Sequence, residues 1–227
     1  MPFPDLTDRL ESVRERIDAA VRRGGHGQTV TIIAVTKTHG ADAVQAAWDA
    51  GLRDVGENRV QEAQPKMREI AVPVRWHLIG HLQRNKAKAV TDFHLVHSLD
   101  SARLIEAVDA IGRSNGVPIE GLIQVNVIGE ESKGGFSRPE WAAIADRLRS
   151  CTGLRVRGVM TMAPLDADQR ALRTVFSGAR EARDVLRAAG HDATELSMGM
   201  SNDYEVAVEE GATFVRLGTI LFGARSA

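Results

Sequence analysis

Cysteine is almost absent: Cys151 is the only one in 227 residues. A disulfide framework within the chain is therefore excluded, and a reducing cytoplasm is the expected home. Aromatic residues make up only 4%. A nucleic-acid surface needs stacking aromatics on a broad basic face, so nucleic acid is not an expected partner. An excess of either charge is missing too, with 29 Lys and Arg against 30 Asp and Glu and a formal charge of −1. Nothing draws such a chain to an anionic membrane. No run of about 18 apolar residues occurs, so no spanning helix is expected. The opening MPFPDLTDRLESVRERID lacks the apolar stretch of a secretory signal. Low-complexity segments and linkers are also lacking, which predicts one domain over residues 1–227.

What is there is a packable, regularly alternating chain, 43% hydrophobic. From Asp5 to Arg23, Leu6, Leu10, Val13, Ile17 and Val21 recur at spacings of three and four, the signature of an amphipathic helix. TVTIIAVTK (29–37) then reads as a β-branched strand. Helix and strand signals alternate from there on: ADAVQAAWDAG, LRDVGE, RVQEAQPKMREI, VRWHLIG, QRNKAKAVT, FHLVHSL, SARLIEAVDAIGRSNG, EGLIQVNVI, RPEWAAIADRLRSCTG, LRVRGVMTM, a long helix over 167–190, ATELSM, SNDYEVAVEEG and TFVRLGTILFG. The pattern predicts eight strands, each but the last followed by a helix, with one extra helix in front. Alternation of this kind implies a parallel sheet with helices outside, and eight units in about 200 residues predict a closed (β/α)8 barrel over an open doubly wound sheet.

Barrel chemistry sits at the C-terminal ends of the strands. Period two puts Ile33, Val35 and Lys37 on one strand face, so Lys37 points into the mouth, where burial would favour the neutral amine that a Schiff-base lysine needs. At the far end of the chain, LSMGMSNDYEVAVEEG sets small and hydroxylic residues before a helix. Ser201 and Asn202 offer N–H donors and a hydroxyl, Gly199 allows close approach, and Gly218 and Thr219 in RLGT offer more. Such a pair of turns suits a phosphate group, although Ser201 could equally be an ordinary cap. An amine opposite a phosphate cradle suggests a phosphorylated aldehyde: pyridoxal 5′-phosphate (PLP), or a sugar phosphate bound as in an aldolase. Arg216 shares a face with Phe214. It could donate to a pyridine nitrogen and keep it unprotonated, a weak electron sink, or it could pair with a barrel carboxylate.

AVTKTHG, VGENRVQEAQPK, WHLIGHLQRNK, VNVIGEESKGGF, GVMTMAP, LSMGMSNDYEVAV and VRLGTILFGAR run in order from Ile33 to Arg225. Together they resemble the pyridoxal phosphate homeostasis protein family, small relatives of the alanine racemase barrel. The resemblance implies a (β/α)8 barrel of PLP fold-type III, with PLP held as a Schiff base on Lys37. It implies phosphate contacts from Ser201, Gly218 and Thr219, Arg216 at the pyridine nitrogen, and Asn58 and Met200 lining the pocket. It further implies a monomer that stores PLP and delivers it to apo PLP-dependent enzymes, without robust turnover. His39 and Gly40 stand where the family often has a basic residue and a proline, which predicts a more mobile loop. Lys133 matches a loop lysine of the family.

The competing reading is an amino-acid racemase. That chemistry needs an acid–base group on each face of the cofactor. The one tyrosine, Tyr204, falls in the helix behind the phosphate turn, so a carrier is favoured. His77 and His81 have no carboxylate or cysteine to complete a zinc set and read as structural or incidental. Arg84, Lys86 and Lys88 form a small basic cluster near the mouth that would attract an anionic cofactor. Cys151 is expected to close a helix and to be inert.

Overall fold

The computed structural model describes residues 3–130 and 133–223. Glu131 and Ser132 of VNVIGEESKGGF, and Ala224 and Arg225 of the last motif, lie outside the described residues. Eight parallel strands close into a barrel in chain order: β1 Thr31–Val35, β2 Asp54–Glu57, β3 Arg75–Leu78, β4 Leu95–Leu99, β5 Ile119–Gln124, β6 Leu154–Met160, β7 Glu195–Ser197 and β8 Phe214–Leu217. The seam is sealed by β1 against β8, with Ile33 opposite Arg216 and Ala34 opposite Leu217. The predicted (β/α)8 barrel is the observed fold.

The helices outside are α1 Leu6–Gly24, α2 Ala41–Asp49, α3 Val60–Glu69, α4 Ala102–Asn115, α5 Trp141–Leu148, α6 Gln169–Ala188, α7 Tyr204–Glu209 and α8 Thr219–Phe222. Helix α1 precedes the barrel and buries Leu6, Leu10, Val13, Ile17 and Ala20, close to the predicted stripe. On its other side, Arg16 and Arg23 pair with Glu205 and Glu209 of α7. Three expectations change in detail. Residues Arg84–Asp92 form a 3-10 segment rather than a short α-helix. The final turn contains a further helix, α8, too short to show a periodicity in sequence. Helix α5 stops at Leu148, three residues before Cys151, so the cysteine follows the helix instead of closing it.

Period two divides each strand between two environments. Ile32, Ala34, Val55, Val96, Leu196, Met198 and Val215 belong to the large core between sheet and helices. Leu95, Leu122 and Met160 form a small separate cluster inside the barrel, with Phe214 against it. The interior also holds polar side chains that are wholly or almost wholly buried: Asp54, His77, His97, Ser197 and Arg216.

Candidate functional site

Lys37 lies two residues beyond β1, in a turn held firmly on its N-terminal side. Thr36 is fully buried. Its N–H donates to Gly56 O at 3.1 Å and its hydroxyl to Glu57 Oε1 at 2.6 Å. Lys66 of α3 donates to the same Glu57 oxygen at 2.6 Å and to Thr36 O at 2.8 Å. On the C-terminal side, Thr38 has φ +68°, the only positive φ outside glycine among the described residues. A β-branched residue in that region is strained. His39 is tied into the loop by ring contacts. Its ring lies edge-on to Phe3 at 5.5 Å and 5.4 Å from Phe222, so aromatic packing replaces the stiffness of a proline. Lys37 itself is half-buried, less enclosed than expected, and among the described residues its ammonium has neither a hydrogen-bond acceptor nor an ion-pair partner.

The adjoining part of the mouth, across the β1–β8 seam, is built from the ends of β7 and β8. Gly199 has φ +94°, and a Cβ there would meet Ala207 Cβ at 2.7 Å, so only glycine lets this turn lie on α7. Asp203 accepts from Met200 N–H at 2.5 Å, and Ser201 Oγ accepts from Ile220 N–H at 3.4 Å. Ser201 therefore bridges to α8 rather than capping α7. The backbone N–H groups of Ser201, Asn202, Gly218 and Thr219 have no acceptor among the described residues. Arg216 N–H donates to Gly199 O at 3.0 Å, tying the two turns together.

Strand register collects the predicted residues on one arc of the mouth. Ala34 lies opposite Leu217, which brings Gly218 beside Val35, and a Cβ on Gly218 would sit 3.5 Å from Val35 Cβ. Val35 lies opposite Gly56, so the turn carrying Lys37 and the segment carrying Asn58 leave neighbouring strands. Asn58 and Met200 are half-buried, and Thr219 is exposed. Asn58 also borders a cleft lined by Gly80, His81 and Lys86. Strands β7, β8, β1 and β2 are neighbours around the ring, so Met200, Ser201, Arg216, Gly218, Thr219, Lys37 and Asn58 share one side of it.

Arg216 is buried beneath this arc and has no carboxylate partner among the described residues. It donates from Nη1 to Ser197 Oγ at 2.7 Å and from Nη2 to Thr161 O at 3.0 Å. Burial pulls its pKa down to about 10, opposed by the charge of Asp203. Two of the five guanidinium N–H groups are thus engaged, and three are left for a ligand.

His77, read as structural or incidental in sequence, is part of a structural interior chain. Its Nε2 lies 2.9 Å from Asp54 Oδ1 and its Nδ1 2.9 Å from His97 Nε2, while His97 Nδ1 is 2.8 Å from Ser197 Oγ. Among the described residues no metal-binding cluster occurs. His81 instead contacts Asp100 at 2.9 Å on the surface. Lys133 donates to Ala163 O at 2.9 Å and pairs with Glu130, joining two mouth loops. Arg84, Lys86 and Lys88 are exposed on the 3-10 segment. Tyr204 is buried behind the turn at Gly199–Asn202, under Arg16, and its hydroxyl has no partner among the described residues. Burial raises the pKa of Cys151, as expected for an inert thiol.

Residues 9–226 match the family model of the alanine racemase N-terminal domain. The chain is 40% identical over 223 residues to the pyridoxal phosphate homeostasis protein of Pseudomonas aeruginosa, covering 97% of this chain and 96% of that one. The solved structure of PipY from Synechococcus elongatus with PLP bound superposes with a TM-score of 0.85 at 37% identity, covering 96% of this chain and all of PipY. Alanine racemase from Corynebacterium glutamicum, at 16% identity, a TM-score of 0.70 and 95% coverage of this chain against 61% of its own, shares the fold. By these matches, carried along nearly its whole length, the chain belongs to the pyridoxal phosphate homeostasis protein family, within the alanine racemase N-terminal domain fold.

Proposed function

We propose that this protein binds pyridoxal 5′-phosphate as a Schiff base on Lys37. We further propose that it takes part in PLP homeostasis in the cytoplasm, acting as a monomeric single-domain carrier that supplies apo PLP-dependent enzymes without robust turnover. The observation that carries the reading is the pairing of an unengaged amine with four unengaged backbone N–H groups on one arc of the mouth. The donors of Ser201, Asn202, Gly218 and Thr219 suit a phosphate dianion. Arg216 directs its remaining N–H groups to a ring nitrogen and, being charged, keeps that nitrogen unprotonated. Asn58 and Met200 border the ring. The bound group supplies an aldehyde, which the Lys37 amine condenses with as water leaves. The names of the relatives and the PLP bound in PipY support the same reading. Among the described residues no helix is long and apolar enough to cross a membrane.

A racemase would need a second acid–base group at the mouth, and Tyr204 is buried away from it. The test is borohydride reduction of the PLP-loaded protein followed by peptide mapping. A pyridoxyl adduct on the Lys37 peptide is expected. An adduct on another lysine, Lys66 included, would overturn the site. Sustained α-proton exchange on a free amino acid, abolished by Lys37→Ala, would overturn the carrier.

A further inference from the structure

The buried polar chain inside the barrel has a single consistent proton arrangement. Asp54 accepts from Arg75 Nε at 2.7 Å and Nη2 at 2.6 Å, besides its contact with His77. Burial pushes its carboxyl up, but the hydrogen bonds of His77 and Arg75 win and hold it at about 2. An ionised carboxylate only accepts, so His77 must donate from Nε2. Burial keeps His77 neutral, leaving Nδ1 bare. His97 must then donate to it from Nε2. His97 is neutral as well, through its complete burial and the nearby charge of Arg216, so its own Nδ1 is bare. Ser197 must give its hydroxyl proton to that nitrogen, and its oxygen accepts from Arg216 Nη1. Every bond runs the same way, from Arg216 through Ser197, His97 and His77 to Asp54. Reversing any one would place two donors or two lone pairs face to face.

The chain spans the barrel from the mouth, where Arg216 lies under the proposed ligand, to the strand starts at Asp54 and Arg75. The three rings of His77, His97 and Phe214 pack against one another at 5.1 to 5.7 Å, so the imidazoles sit side by side inside the barrel. Arg216 has only neutral acceptors, and a guanidinium held by neutral oxygens is oriented weakly unless those oxygens are themselves fixed. Ser197 is free to rotate its hydroxyl unless His97 claims the proton. We propose that Asp54, His77, His97 and Ser197 form a one-way hydrogen-bond relay that fixes the Arg216 guanidinium, making them positioning residues for the group that faces the cofactor ring. This role rests on the PLP reading above, whereas the relay itself does not.

The relay is tested first without PLP. In 15N NMR of the ligand-free protein, both His77 and His97 are expected as the Nε2–H tautomer, and the Arg216 Nη nitrogens as distinct signals from hindered rotation. Either histidine as Nδ1–H would overturn the relay. His77→Phe touches neither Ser197 nor Arg216, yet it strips His97 of its acceptor and should average the Arg216 signals. Unchanged Arg216 signals in a folded His77→Phe protein would reduce the chain to packing. Positioning is then read on the PLP-loaded protein. His97→Phe should release PLP about five- to tenfold faster, the loss of roughly one net hydrogen bond, and shift the visible absorption band. His97→Gln, which can still donate to His77 and accept from Ser197, should recover part of both. A relay intact by NMR with release and absorption unmoved in His97→Phe would overturn the positioning role. No borohydride adduct at all would remove the PLP reading and leave the tautomers as they are.

Discussion

Replacing Lys66 with methionine is the sharpest test of how the turn carrying Lys37 is held. The Lys66 ammonium is one of two groups bonded to Glu57 Oε1, and the Glu57 side chain is fully buried. Its second oxygen, Oε2, has no partner among the described residues. Without Lys66 the carboxylate would keep one hydroxyl donor, from Thr36, in a dry setting. Removing one partner of such a pair costs about 3–5 kcal/mol, because the remaining charge stays desolvated. For a chain of this size that corresponds to a fall of roughly 6–20 °C in Tm. The double variant Lys66→Met/Glu57→Gln removes both charges while the glutamine oxygen still accepts from Thr36, so it should return to within about 1.5 kcal/mol of the parent. Urea unfolding of the parent, both single variants and the double variant gives the coupling directly. A Lys66→Met protein within about 1 kcal/mol of the parent, or a double variant no better than Lys66→Met, would refute the buried pair.

Thr38→Gly should stabilise the fold by about 1 kcal/mol, since strain of about 1–3 kcal/mol is released against the greater chain entropy of glycine; thermal unfolding reads it, and a lower Tm would show that no strain is stored. Gly112→Ala should destabilise by about 3 kcal/mol, because the new Cβ would sit 1.8 Å from the backbone oxygen of Gly153 and force α4 off β6; a denaturant midpoint equal to the parent's would contradict that packing. Stability should be flat near neutral pH and fall as the pH drops through about 6.5, because unfolded histidines take up protons that buried His77 and His97 refuse in the folded state. Asp54 adds about 2 kcal/mol that is present above its unfolded value of 3.8 and lost as the pH falls towards about 2. A pH series of urea midpoints checks both limbs, and a profile level from pH 7 to 5 would mean that the histidines are charged in the fold.

The alternation of β-branched runs with amphipathic stretches made the barrel legible, because each strand and helix carries its own periodicity. The mouth was legible for a related reason. Once the strand order is known, strand ends fall on a known face, so Lys37, Ser201 and Thr219 could be placed from the sequence, whereas Asn58 was marked by the family resemblance. Contacts between strands far apart in sequence were not. His97 and Ser197 are a hundred positions apart, and only the closed ring lays one beside the other. A signal did exist: His77 and His97 each fall inside a strand, with an apolar neighbour on at least one side, where an ionisable ring is out of place. Lys66 left a similar mark, falling in step with buried Val60 and Ala63 on α3. The ring packing of His39 against Phe3 and Phe222 had no such mark, because aromatic proximity across loops has no period.

Closure of the ring between β1 and β8 has a kinetic corollary. The Lys37 turn and the turns at Ser201 and Gly218 come from opposite sides of that seam, about 160 to 180 positions apart, so the recess between them is absent from any partly assembled ring. Long-range pairing of this kind forms late in folding. A small molecule bridging the seam would then act as a clasp, slowing global opening while leaving the fraying of individual outer helices untouched.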